Sequence, residues 1–194
     1  MNKANIKSGG QLESDKVAAS VRQWVESMVV GLNLCPFAKR ELVKNRIRFS
    51  VTEASTEEQL LQVLESELEL INQDRSVETT LLIHPVVLQD FYDFKLFLAY
   101  IDNLLVRMNL KGVFQVASFH PDYQFFGTAS EDAENYTNRS PYPVLHLIRE
   151  ESLERVIADY PDVDQIPARN IALMNRLGQN KLQTIMWTCL NVDN

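Results

Sequence analysis

Cysteine is scarce: Cys35 and Cys189 are the only two in 194 residues. They lie far apart and form no CxxC pair, which argues against a disulfide framework or a multi-cysteine zinc site and for a reduced compartment. Basic charge is also short. Lys and Arg total 19 against 26 Asp and Glu, a net charge of −7, so there is no general positive field for a nucleic-acid backbone and no nucleic-acid partner is expected. No window approaches the roughly 18 uninterrupted apolar residues of a membrane span. The opening MNKANIKSGGQLESD lacks the apolar stretch of a secretory signal, so the expectation is a cytoplasmic protein with no membrane partner. GxGxxG, P-loop, GxSxG and HExxH patterns are missing too, which leaves nucleotide, phosphoryl-transfer, serine-hydrolase and zincin templates without local support.

What remains is ordinary globular usage, 45% hydrophobic and 23% charged, enough apolar side chain for one sizeable core. The expected organisation is a flexible leader at 1–15, a single α/β domain at 16–178 and a C-terminal tail at 179–194.

Apolar positions alternate between helical and strand spacing along the chain. Val17, Val21, Trp24, Val25, Met28, Val29 and Leu32 mark one helix face, with Gly31 near its end. Residues 46–52 alternate as a half-exposed edge strand. Thr56 and Gln59 have capping-box spacing ahead of Leu60, Leu61, Leu64, Leu68 and Ile71. Thr79 to Ile83 and Val113 to Phe119 read as strands covered on both faces, and Asp90 opens the long helix between them. Val144 to Ile148 is a fourth strand, followed by two helices; the tail, with Leu182, Ile185, Met186 and Trp187, fits either a strand or a helix. The expected fold is an α/β layered sandwich, a small sheet flanked by helices. That sheet is mostly parallel, or mixed if the fourth strand, which arrives without a helix, runs antiparallel.

Chemistry is expected where parallel strands end, since open α/β sheets bind ligands beyond the carboxyl ends of their strands. Two runs stop at His-Pro pairs, His84-Pro85 and His120-Pro121, and a long loop at 122–143 follows the second. If the two strands are neighbours, both imidazoles reach one sheet edge; alternatively the prolines simply end the ladders. The loop carries Asp122, Tyr123, Asn135, Tyr136, Asn138 and Arg139, a mixture able to hold a small anionic molecule. His146 is either a member of this site or a core histidine satisfied by a hydrogen bond, and Arg149, beside Glu150 and Glu151, reads as a surface salt bridge. Cys35, just past the first helix, is a packed thiol unless it approaches His84 or His120. In that case it is a nucleophile with an imidazole base, or a divalent-metal ligand together with His84, His120 and Asp122. A Cys35 distant from both histidines defeats the two versions together.

The segments NLCPFA at 33–38, TTLLIHP at 79–85, FHPDYQFFG at 119–127 and NYTNRSPYPVLHLIRE at 135–150 resemble bacterial proteins of the domain-of-unknown-function family 1415, from about Val17 to Gly178. The resemblance implies a bacterial cytosolic protein of one domain, with Cys35, His84, His120 and 135–150 in the family pattern. It implies no activity, cofactor or catalytic residue. The functional expectation is a hydrolase or group transferase acting on a small anionic metabolite at a Cys/His/Arg site with Cys35, His84 and His120 catalytic. The alternative is a non-catalytic domain that binds a ligand or protein through the 120–143 loop.

Overall fold

Four short β-rich runs pair into one open sheet in the computed structural model, which describes residues 9–158, 160 and 162–192. They are β1 (Ile47–Val51), β2 (Thr79–Ile83), β3 (Phe114–Phe119) and β4 (Val144–Arg149), in the order β1-β2-β4-β3. β1 and β2 are parallel, while β4 is antiparallel to both β2 and β3. Three strands therefore point one way and the fourth is inserted against them, a mixed sheet with β1 at an edge. β2 and β3 are not neighbours. The long 120–143 connection brings β4 back as a hairpin partner of β3, and an antiparallel return needs no crossover helix, so β4 takes the place between them.

The helices are α1 (Gly9–Trp24), α2 (Ala38–Val43), α3 (Glu57–Gln73), α4 (Phe91–Arg107), α5 (Glu150–Ala158), α6 (Ile166–Leu177) and α7 (Gln179–Leu190). Capping follows the sequence. The Thr56 hydroxyl accepts from the Gln59 amide at 3.2 Å, and Asp90 Oδ1 accepts from the Tyr92 and Asp93 amides at 2.8 and 3.1 Å. α1 does not end at its apolar stripe but widens into a π-helical segment, Val25–Val30, closed by an i−5 bond from the Gly31 amide to the Glu26 carbonyl at 2.9 Å. A Cβ at residue 31 would lie 2.3 Å from the Ser27 carbonyl oxygen, so this exit requires glycine.

Strand parity sends side chains to two cores. Leu82, Leu145, Leu147 and Phe114 meet α3 and α4, where Leu60, Leu64, Leu68 and Ile71 are fully buried. At ~2 kcal/mol for each such side chain, packing rather than intrinsic propensity holds α3 in place. Leu81, Ile83 and Val144 meet the opposite layer of α1, α6 and α7.

Two terminal segments differ from the sequence pattern. The part of the expected leader from Gly9 onward is already helical, in α1, while residues 1–8 lie outside the described residues. The tail through Leu190 is α7, whose Leu182 and Cys189 are fully buried in the second core. A helix docked by so few apolar positions leaves too short a periodic signal to tell it from a strand.

Candidate functional site

His84 and His120 follow β2 and β3 and share the parity of Leu82, so both rings turn toward α4. Each lies against Phe94, with centroid separations of 5.7 and 5.2 Å, and both residues are fully buried. The loop before α4 supplies their partners. His84 Nδ1 donates to the Val87 carbonyl at 3.0 Å, so its Nε2 is a lone pair, buried and without a hydrogen-bond partner among the described residues. His120 Nδ1 accepts from the Asp122 amide at 3.0 Å while Nε2 donates to the Leu88 carbonyl at 3.2 Å, which occupies both ring nitrogens. Burial, reinforced by the neighbouring His120, pushes His84 down to about 4; burial likewise lowers His120 against the opposing pull of the Leu88 carbonyl. The two histidines converge as neutral, packed rings.

The loop residues expected to bind substrate hold the loop itself together. Asn135, fully buried, accepts through Oδ1 from the Phe125 amide and the Thr128 hydroxyl at 3.0 and 2.9 Å, and donates to the Ala129 carbonyl at 2.7 Å. Arg139 donates to the Tyr123 and Ser130 carbonyls at 3.1 and 2.7 Å and lies 4.8 Å over the Tyr136 ring. Asn138 donates to the Ser118 carbonyl, and Tyr136 is buried in the α1-side core. Tyr123 stacks against Phe91 and Phe125, and Phe126 alone of the loop's aromatics is fully exposed. Arg149 is not a surface ion pair. It is 4% exposed, and its Nη2 donates to the carbonyls of Ile71, Asp74 and Val77, closing the C-terminal end of α3.

A cavity of about 500 Å3 lies on the other face of the sheet, between the π-helical turn, α2 and α5. Its body is apolar: Trp24, Val25, Leu81, Phe119, Ile148 and Leu153 line it. His146 and Thr79 form its floor, Cys35 is in its wall, and Arg40, Arg46 and Arg155 are near its mouth. Cross-strand register explains the floor, because Leu81, His146 and Ala117 are direct partners across β2, β4 and β3 and share the α1-facing side. Arg46 is bound to Glu41 and, at 3.2 Å, to Glu78; the Arg40 side chain, 61% exposed, lies 3.6 Å from Glu41, and that of Arg155, 68% exposed, donates to the Ser152 hydroxyl at 3.0 Å and lies 3.9 Å from Glu151.

Cys35 therefore shares a cavity with His146, while His84 and His120 lie behind the sheet. The expected Cys35/His84/His120/Asp122 grouping is not assembled, since α1 and the sheet's parity put the thiol on the face opposite the two histidines. Among the described residues no three His, Cys, Asp or Glu side chains are placed to hold a metal ion. Burial raises the Cys35 thiol, with the Phe37 and Ala38 amides opposing, and no hydrogen bond joins it to His146. Burial pushes His146 down to about 4. Both groups rest in their neutral forms at pH 7. Sequence reasoning missed Thr79 and the arginines at the mouth; the signal for Thr79 was a pair of threonines, Thr79 and Thr80, opening a strand that is apolar from Leu81 on.

No helix among the described residues is long and apolar enough to cross a membrane. A family model described as a protein of unknown function, DUF1415, matches residues 16–184. No curated protein and no solved structure matches the chain.

Proposed function

We propose, for a chain that belongs to the DUF1415 family, that the cavity over the α1-facing side of the sheet binds a small organic acid in a bacterial cytoplasm. The observation that carries this reading is one concave space of about 500 Å3 with an apolar body and arginines at its mouth. That volume is within the usual range for small-molecule sites, and such sites pair a largely apolar wall with a few placed polar groups. Arg40 and Arg155 supply charge for a carboxylate, and the apolar body accepts a ring or short chain. The 120–143 loop is a weaker candidate because its amides and Arg139 close the loop on itself, whereas the contacts of Arg40 and Arg155 stay within their own exposed helices, α2 and α5.

The test is a binding series read by heteronuclear NMR on the full chain, with 3-phenylpropanoate and its uncharged amide as probes. Shifts at Ala117, Leu153 and His146 with the acid, lost in an Arg40→Ala/Arg155→Ala double variant, support the reading. Equal binding of acid and amide, or shifts confined to the 120–143 loop, overturn it.

A hydrolase or group transferase with Cys35 as nucleophile is the second reading. It is favoured by the thiol's place in the cavity wall and by the Phe37 and Ala38 amides, which lower the cost of a thiolate. An acyl adduct on Cys35 from an activated aryl ester, seen by mass spectrometry and absent in Cys35→Ser, supports it. Acylation spread over surface lysines counts against it.

A further inference from the structure

The floor of the cavity has a determinate hydrogen-bond polarity. Thr79 Oγ1 lies 2.6 Å from His146 Nε2 and 2.5 Å from the Leu147 carbonyl oxygen. Contacts this short each need a proton between the heavy atoms. The Thr79 hydroxyl has one proton and the carbonyl has none, so the second must be on Nε2. The hydroxyl donates to Leu147 and accepts from the imidazole. The neutral ring then has its lone pair at Nδ1, which makes no hydrogen bond to any of the described residues. Nδ1 is also not among the sealed, partnerless buried atoms, so it opens on the cavity that His146 lines.

We infer that the cavity selects a ligand that donates a hydrogen bond to His146 Nδ1, making its substrate class hydroxyl- or N–H-bearing organic acids rather than plain or ether-bearing ones. This rests on the reading of the cavity as an acid-binding site and adds the deep end of the ligand to it. The carboxylate is at the mouth with Arg40 and Arg155, and the donor group lies at the floor. Thr79 is a positioning residue here, because its relay to Leu147 keeps the imidazole proton on Nε2 and the acceptor toward the ligand. An acceptor left without a partner in an apolar surround is costly, which gives a donor-bearing ligand its advantage. Cys35 does not fill that role, since no hydrogen bond links it to His146.

The experiment has two arms on the full-length chain. In the first, 15N spectra of the free protein assign the His146 tautomer; protonated Nε2 with bare Nδ1 is expected, and Thr79→Val should mix the tautomers. In the second, calorimetry compares 3-(4-hydroxyphenyl)propanoate and 3-(3-hydroxyphenyl)propanoate with their methoxy counterparts. The better hydroxy acid should bind about tenfold more tightly than its methoxy analogue, a gap of ~1.4 kcal/mol, and the gap should shrink in Thr79→Val. A proton on Nδ1, or equal affinity for hydroxy and methoxy acids, overturns the inference while leaving acid binding intact. Binding of none of the four acids overturns the acid-binding reading and this inference with it, whatever the tautomer.

Discussion

Arg48 on the edge strand clasps Glu67 of α3 with a two-pronged hydrogen bond, Nε to Oε2 at 2.8 Å and Nη2 to Oε1 at 2.9 Å. Ser50 adds a third bond to the same carboxylate at 2.8 Å. Burial pushes the Glu67 carboxyl up, but the bonds from Arg48 and Ser50 outweigh it and hold the group below the usual glutamate range. The pair fastens β1, at one edge of the sheet, to α3.

Removing Arg48 leaves a carboxylate that is 7% exposed without its charged partner. Arg48→Ala is expected to destabilise the protein by roughly 2 kcal/mol, less than a fully buried pair would cost because the Arg48 side chain is partly solvated. Urea unfolding should show a lower midpoint at unchanged slope. The Arg48→Ala/Glu67→Leu double variant should recover part of the loss, and a double variant worse than the sum of the two singles would contradict this account of the pair.

Acid should loosen the fold through His84 before any carboxylate with a lowered pKa is protonated. In the unfolded chain this imidazole protonates near 6.5, and in the fold only near 4. Between those values the unfolded state binds more protons, so stability present above pH 6.5 is lost as the pH falls toward 4. The full contribution of His84 is ~3 kcal/mol. Unfolding free energies from pH 7 to 4 should fall less steeply in His84→Leu than in the parent chain. Parallel curves would show that His84 is not held neutral.

Asn135 organises the loop from within. Asn135→Ala deprives the Phe125 amide of its acceptor and the Ala129 carbonyl of a donor, leaves the Thr128 hydroxyl only the Phe125 carbonyl at 2.9 Å, and is expected to cost roughly 2 kcal/mol. Limited proteolysis is then expected to cut within 122–143 faster than it does in the parent chain. Unchanged resistance would mean that the aromatic contacts of Tyr123 and Phe125 suffice.

Cys35 should react slowly for a partly accessible thiol. Burial raises it above its ordinary value of 9.0, so its alkylation rate by iodoacetamide should still be climbing past pH 9. An acid that occupies the cavity should slow the reaction further. Fast alkylation at pH 7, absent in Cys35→Ser, would identify an activated thiolate instead.

Much of the architecture was legible because its signals are local. The spacing from Leu60 to Ile71, the Asp90 cap and the Thr79–Ile83 run each specify an element within a few residues. The antiparallel β4 was legible as well, from the missing crossover helix. The site was harder to read. The His-Pro pairs point correctly to two strand ends, yet which layer covers each face depends on where α1 packs, and no short segment encodes that. His146 belongs with Cys35 only through the register Leu81–His146–Ala117, a long-range pairing. Asn135 and Arg139 look like ligand-binding side chains in a linear string because their backbone partners, Phe125, Ala129 and Ser130, become visible only once the loop closes on itself.

The position of β4 also orders events during synthesis. β1, β2 and β3 all leave the ribosome before the strand that joins them, and until residue 149 has emerged β2 and β3 each present an edge that β4 will later cover. Closing the sheet means bringing the ends of the 120–143 segment together and wedging a strand between two others, a late, long-range step in the assembly of this chain. A nascent chain stalled within that segment leaves β3 unpaired and β2 with an open edge, the kind of surface that recruits a chaperone or another stalled copy.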